Sequence, residues 1–128
     1  MGPRALTGLL DSVILIDHLN GADAATKYLV ARQGRLAVSV ITRAEVLAGF
    51  EEAREEAGLR LLSCFPTFAI TRPIADLAAR LRRQHRWKMP DALQAAVCHH
   101  HRLRLVTRST KDFRPDRHAF VEVPYELP

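Results

Sequence analysis

Four carboxylates, Asp11, Glu45, Asp91 and Asp112, stand where apolar runs of the chain give way to helix or loop. Acids scattered over a solvated surface would not favour those places. If the strands are parallel, their carboxyl ends converge on one crevice, and acids far apart in sequence meet there. Carboxylates gathered within about 5 Å repel by roughly 3 kcal/mol per pair at an effective dielectric of 20. Such a group either keeps some members protonated or is held together by a cation. In a chain of net charge +5, the second alternative points to metal-dependent phosphodiester hydrolysis.

Each acid taken singly has a plainer explanation. Asp11 could cap the helix that follows it, with the Ser12 hydroxyl bonding it or a phosphate oxygen. Thr42 is the expected cap of a later helix, and Glu45 then completes a Thr-x-x-Glu capping box. Asp91 follows Pro90 in a first helical turn, where the macrodipole favours negative charge. Asp112 lies in a polar loop and suits a turn. Their joint placement is what these local accounts leave unexplained. Asp17 falls roughly 240° around the helix from Asp11 and is expected at the surface. His99, His100 and His101 fan out by about 100° each and cannot chelate together. Trp87 and Phe113 are expected to pack near the site rather than to stack on bases. The sequence has no glycine-rich phosphate loop and no HExxH.

The elements that must hold these acids alternate along the chain. Apolar runs predict strands at 6–10, 36–40, 67–71, 104–107 and 119–123. Helices are expected over 12–19, 22–32, from Thr42 to about Phe50, over 52–64 with an interruption at Gly58, from Pro73 to about 85, and from Pro90 to about 100. Alternating strands and helices predict an α/β fold with a mostly parallel five-stranded sheet.

With 128 residues, 48% hydrophobic and 26% charged, the chain can bury one core, so a single domain over residues 1–128 is expected. Cys64 and Cys98, without CxxC spacing, are expected to be small core residues in a reducing compartment. No apolar run reaches membrane-spanning length, and Met1-Gly2-Pro3-Arg4 does not begin a secretory signal, so a cytoplasmic location is expected. Basic residues crowd positions 80–88 and 102–111. Near a carboxylate site they suit a polyanionic substrate, although the first stretch could equally be a solvated helix face.

The segments LLDSVILIDHLNG (9–21), SVITRAEVLAG (39–49), MPDALQAAV (89–97) and LRLVTRSTKDF (103–113) together resemble the PIN-domain ribonucleases, and within them the VapC toxins. The resemblance implies a PIN-like three-layer fold. It also implies an acidic site of Asp11, Glu45, Asp91 and Asp112 binding Mg²⁺ (or Mn²⁺) for RNA cleavage. Asp11 and Asp91 would be the principal ligands, with Ser12, Thr107 and Arg108 positioning substrate or carboxylate oxygens. It further implies a small VapB-like antitoxin that blocks the crevice. A homodimer is also implied, to which exposed Leu47, Phe50 and Leu59 could contribute. The chain departs from the family pattern at Val13 and Ser109, where relatives usually carry polar residues; Asp112 is thereby left as the fourth acid.

Two rivals come from other classes. A receiver- or dehalogenase-type phosphoryl-transfer domain would need a second acid beside Asp11, where Leu10 and Val13 stand. A non-catalytic RNA- or protein-binding module on the same fold would bind RNA without Mg²⁺ and leave it intact.

Overall fold

The computed structural model describes residues 5–127; the N-terminal four residues, and the reading of them above, lie outside that range. In chain order the elements are β1 (Gly8–Leu10), α1 (Ser12–Leu19), α2 (Asp23–Ala31), β2 (Leu36–Ser39) and α3 (Val40–Ala48). A 3-10 turn (Glu52–Arg54) then leads into α4 (Glu55–Leu62), β3 (Thr67–Phe68), α5 (Arg72–His85), α6 (Met89–His101), β4 (Arg104–Val106) and β5 (Val121–Glu122). The five strands lie in the order β3-β2-β1-β4-β5. Every adjacent pair is parallel, so the sheet is wholly rather than mostly parallel.

Strands β1 and β2 are buried along their whole length, as expected where helices cover both faces of a parallel sheet. Successive side chains point to opposite faces. Leu9 accordingly joins a core with Ile74, Ala78, Trp87, Ala96 and Leu105 on the α5–α6 side. Leu10 joins Ile14, Leu15, Val38, Val46 and Leu62 on the other face, under α1, α3 and α4. These are the three layers. Gly8 is required by close approach, because a Cβ there would sit 2.9 Å from Val106 Cγ2.

Several expectations shift in detail. The predicted interruption at Gly58 is absent: α4 runs through it, and the break falls earlier, between the 3-10 turn and Glu55. Gly58 is buried there, and a Cβ would meet Val46 and Leu47 only at ordinary contact distance. Strand β3 pairs over just two residues. Cys98 is a core residue, but Cys64 is exposed, since it lies beyond the end of α4 rather than within its buried stripe. Leu47 and Phe50 are half-buried against the second core, while Leu59 is exposed. No helix among the described residues is long and apolar enough to cross a membrane.

Candidate active site

Strand β1 delivers its chain to Asp11, whose extended backbone makes it the N-cap of α1. Asp11 Oδ1 accepts the Ser12 amide at 2.8 Å, and Oδ2 accepts the Thr107 hydroxyl at 2.7 Å. Thr107 is fully buried just beyond β4, and its hydroxyl also accepts the Ser109 amide at 2.9 Å. The chain leaves β1 toward β2 on one side, while β4 lies on the other. Asp11 and Thr107 therefore meet at the topological switch point, where ligand crevices form in open α/β sheets. Capping is real for Asp11, but it uses one oxygen only.

The other acids share this crevice electrostatically. Burial raises the Asp11 carboxyl above its usual range, against the bonds from Thr107 and Ser12, and the charge of Asp112 adds to the rise. Partial desolvation of the Glu45 carboxyl raises it too, joined by Asp11 and Asp91, while a Ser12 side-chain bond opposes. Asp91 is raised by burial first, then by Asp112 and Asp11, with Lys88 opposing. Side chains contributed by four separate segments thus feel one another's charge. Among the described residues, however, no three His, Cys, Asp or Glu side chains form a ready-made metal cage. Mg²⁺ needs only one or two carboxylates beside substrate phosphate and its own waters. An all-oxygen, mutually repelling donor set therefore fits a hard divalent cation.

The local explanation of Glu45 does not survive. Ser39, not Thr42, caps α3, accepting the amides of Ile41 and Thr42 at 3.1 and 3.3 Å. The helix begins earlier because Ser39 ends the buried β2 run directly. Glu45 then lies beyond the first turn and outside any capping box. Thr42 is instead buried inside a polar bridge that the sequence reading missed. Its hydroxyl donates to the Leu10 carbonyl at 2.9 Å and accepts Gln94 Nε2 at 2.7 Å. Ser39 Oγ donates to Gln94 Oε1 at 2.5 Å. Leu10 precedes Asp11, Thr42 and Gln94 each sit one turn from Glu45 and Asp91, and all three elements are locked under the acids. A glutamine in the apolar stripe of α6 was the available signal.

Asp17 is buried rather than exposed. It takes a bidentate bond from Arg108, Nε at 2.6 Å and Nη2 at 2.9 Å, and the Tyr125 hydroxyl at 2.8 Å. The wheel angle did place it away from Asp11, but facing the C-terminal segment instead of solvent. Burial works to raise its carboxyl, and the bonds from Arg108 and Tyr125 outweigh that to hold it below the usual range. Arg108 consequently spends its guanidinium fork on Asp17 and braces the loop after β4, so it is not a free hand for substrate. Ser12 faces Glu45 and Thr107 holds Asp11, as described. The three histidines do fan out: His101 stacks on Phe68 and His99 packs on Phe120. Trp87 and Phe113 are buried, and Trp87 Nε1 donates to the Asp112 carbonyl at 3.1 Å, fixing the backbone of the fourth acid.

The PIN domain family profile matches residues 8–118, which include all four acids. Ribonuclease VapC10 of Mycobacterium tuberculosis is 38% identical over 112 residues, covering 82% of this chain and 84% of that protein. A chain of a toxin–antitoxin complex from Klebsiella pneumoniae superimposes with a TM-score of 0.85 at 38% identity, covering 94% of this chain and 100% of that one. VapBC2 from Rickettsia felis, solved bound to a promoter DNA fragment, shares the fold with a TM-score of 0.75 at 19% identity, over 91% of this chain and 96% of that one.

Proposed function

We propose, for a chain that belongs to the PIN-domain family and within it to the VapC ribonucleases, that it is a Mg²⁺-dependent RNA endonuclease. It acts as the toxin of a toxin–antitoxin pair. The observation that carries this reading is the seat of Asp11 at the sheet's switch point, bonded by Ser12 and Thr107, with neighbouring acids near enough to help raise the Asp11, Glu45 and Asp91 carboxyls.

Asp11 and Asp91 would hold the cation, with Glu45 and Asp112 completing its surroundings directly or through water. Mg²⁺, for which Mn²⁺ could substitute, supplies positive charge against the scissile phosphate and acidifies the attacking water. The protein's own part is positional. Thr107 fixes the rotation of the Asp11 carboxylate, so that its oxygens face the crevice without a search. Glu45 is exposed and held above the ordinary carboxylate range. A raised carboxyl is a stronger base than an ordinary one, which suits Glu45 to take the proton released by water. The buried Ser39–Gln94–Thr42 bridge keeps β1, α3 and α6 in fixed register beneath these groups.

A free acidic crevice of this kind is also suited to receive a basic side chain. A small antitoxin of the VapB type would insert one among the acids and close the site. Homodimer assembly belongs to the same reading, with Leu59 as an exposed apolar contributor; light scattering on the purified chain measures it. The test of the activity is incubation of labelled single-stranded RNA with Mg²⁺ and with a chelator. Internal cuts that appear only with Mg²⁺ support the nuclease. RNA that is bound equally well in both and never cut would identify a binding module instead.

A further inference from the structure

Beside the acids lies a cavity of about 470 Å³ lined by His85, Arg86, Trp87, Lys111, Asp112, Arg114, Arg117 and His118. Its size falls in the range of about 300–1,000 Å³ that small-ligand sites occupy. Asp112 belongs to both places: its charge reaches Asp91 and Asp11, and its residue forms part of the cavity wall. The remaining charged lining is cationic. Arg114 is paired with Asp116 at 2.8 Å. Among the described residues, Arg86, Lys111 and Arg117 enter no ion pair. The floor is an aromatic stack. His85 lies flat on the buried Trp87 indole at 4.3 Å, and His118 meets both edge-on at 5.2 and 5.1 Å. Both imidazoles are half-buried, leaving part of each ring to the cavity.

Unpaired guanidinium groups recognise phosphate through their fork of donors. Single-stranded RNA is recognised by unstacked bases laid on aromatic planes, histidine among them. Resting on the nuclease reading of the adjacent acids, we propose that this cavity is a nucleotide subsite for single-stranded RNA. Arg86 and Arg117 hold one phosphate of the strand, and His85 and His118 seat the attached base next to the bond to be cut. The subsite gives the chain a grip on its substrate that does not involve the cation.

The experiment measures binding of a short labelled single-stranded RNA in chelator, where no cutting occurs, across a salt titration. The parent chain is compared with Arg86→Gln/Arg117→Gln. The comparison includes Lys27→Gln/Arg60→Gln, which removes the same charge from exposed faces of α2 and α4. The cavity variant is expected to bind about tenfold more weakly, with the slope of log affinity against log salt reduced by about 0.7, one phosphate contact on a single strand. The α2/α4 variant retains the parent's affinity, and Arg86→Lys, which keeps the charge, retains its slope. Equal affinity for parent and cavity variant would overturn the subsite, as would an equal loss in the α2/α4 variant. Failure of the parent to cut RNA with Mg²⁺ is a separate result and strikes the nuclease reading alone.

Discussion

Asp11 divides its two oxygens between capping α1 and accepting Thr107, so its carboxylate is oriented before any ligand arrives. Thr107→Val keeps the shape and removes the hydroxyl. An outer partner of a metal-binding carboxylate is worth about 10–100-fold in metal affinity or activity, and the variant should lose that much cleavage. An unchanged rate at low Mg²⁺ would remove Thr107 from the site. Asp91→Asn removes a charge that its neighbours oppose. The sign follows from the raised carboxyls of Asp11, Glu45 and Asp91. A raised folded-state pKa favours folding at low pH, and that contribution is lost as pH climbs through the raised value. Without divalent ions, Asp91→Asn should therefore melt higher than the parent at neutral pH, and the difference should vanish in acid. Asp17 behaves oppositely. Its lowered carboxyl stabilises the fold above the ordinary Asp range and loses that contribution as pH falls through the folded value. Asp17→Ala strands Arg108 and should cost about 2 kcal/mol by urea unfolding, the scale of hydrogen bonds to a charged group.

Elements position these residues through contacts that local sequence only partly announces. Strands β1, β2 and β4 and helices α5 and α6 were legible because apolar runs and proline-opened helices carry their own signals. The start of α3 was misread because Thr42 and Glu45 imitate a capping box, while Ser39 ends a buried strand and caps the helix at once. The true role of Thr42 depends on Gln94, 52 residues away, and no local pattern encodes such a pairing. Asp17 was misplaced for the same reason, its partner Arg108 being 91 residues distant. The bridge itself is testable. Gln94→Leu fills the space but takes the acceptor from the Ser39 hydroxyl and a donor from Thr42 in the core, which costs about 1–3 kcal/mol. Cleavage at saturating RNA should fall in the folded variant as the acids lose register. A variant as stable as the parent would mean that the bridge does not brace the site.

At the scale of the whole molecule, a parallel sheet flanked by helices places loops from several segments at one rim, and the acids ride there. The seat of Asp11 at that rim was legible from the strand it ends, whereas of the basic cavity beside Asp112 only the crowding of basic residues at 80–88 and 102–111 was. The cavity is assembled from the α5–α6 connection and the loop after β4, Trp87 and Asp112 being 25 residues apart. Mutual repulsion among the carboxylates costs the empty fold stability, so a cation should restore it. With ligand at 100 times its dissociation constant, the gain is about 2.7 kcal/mol. Thermal melts with and without Mg²⁺ should show a rise for the parent and little for Asp91→Asn. An equal rise in both would place the cation elsewhere.

The most direct measurement is cleavage of labelled single-stranded RNA by the parent and by Asp91→Asn, side by side in Mg²⁺, with a melting curve to establish that both are folded. The parent should cut internally, and the variant should lose more than about 100-fold in rate, beyond what an outer-shell loss costs. A folded Asp91→Asn that cuts RNA as fast as the parent would contradict the carboxylate-held cation.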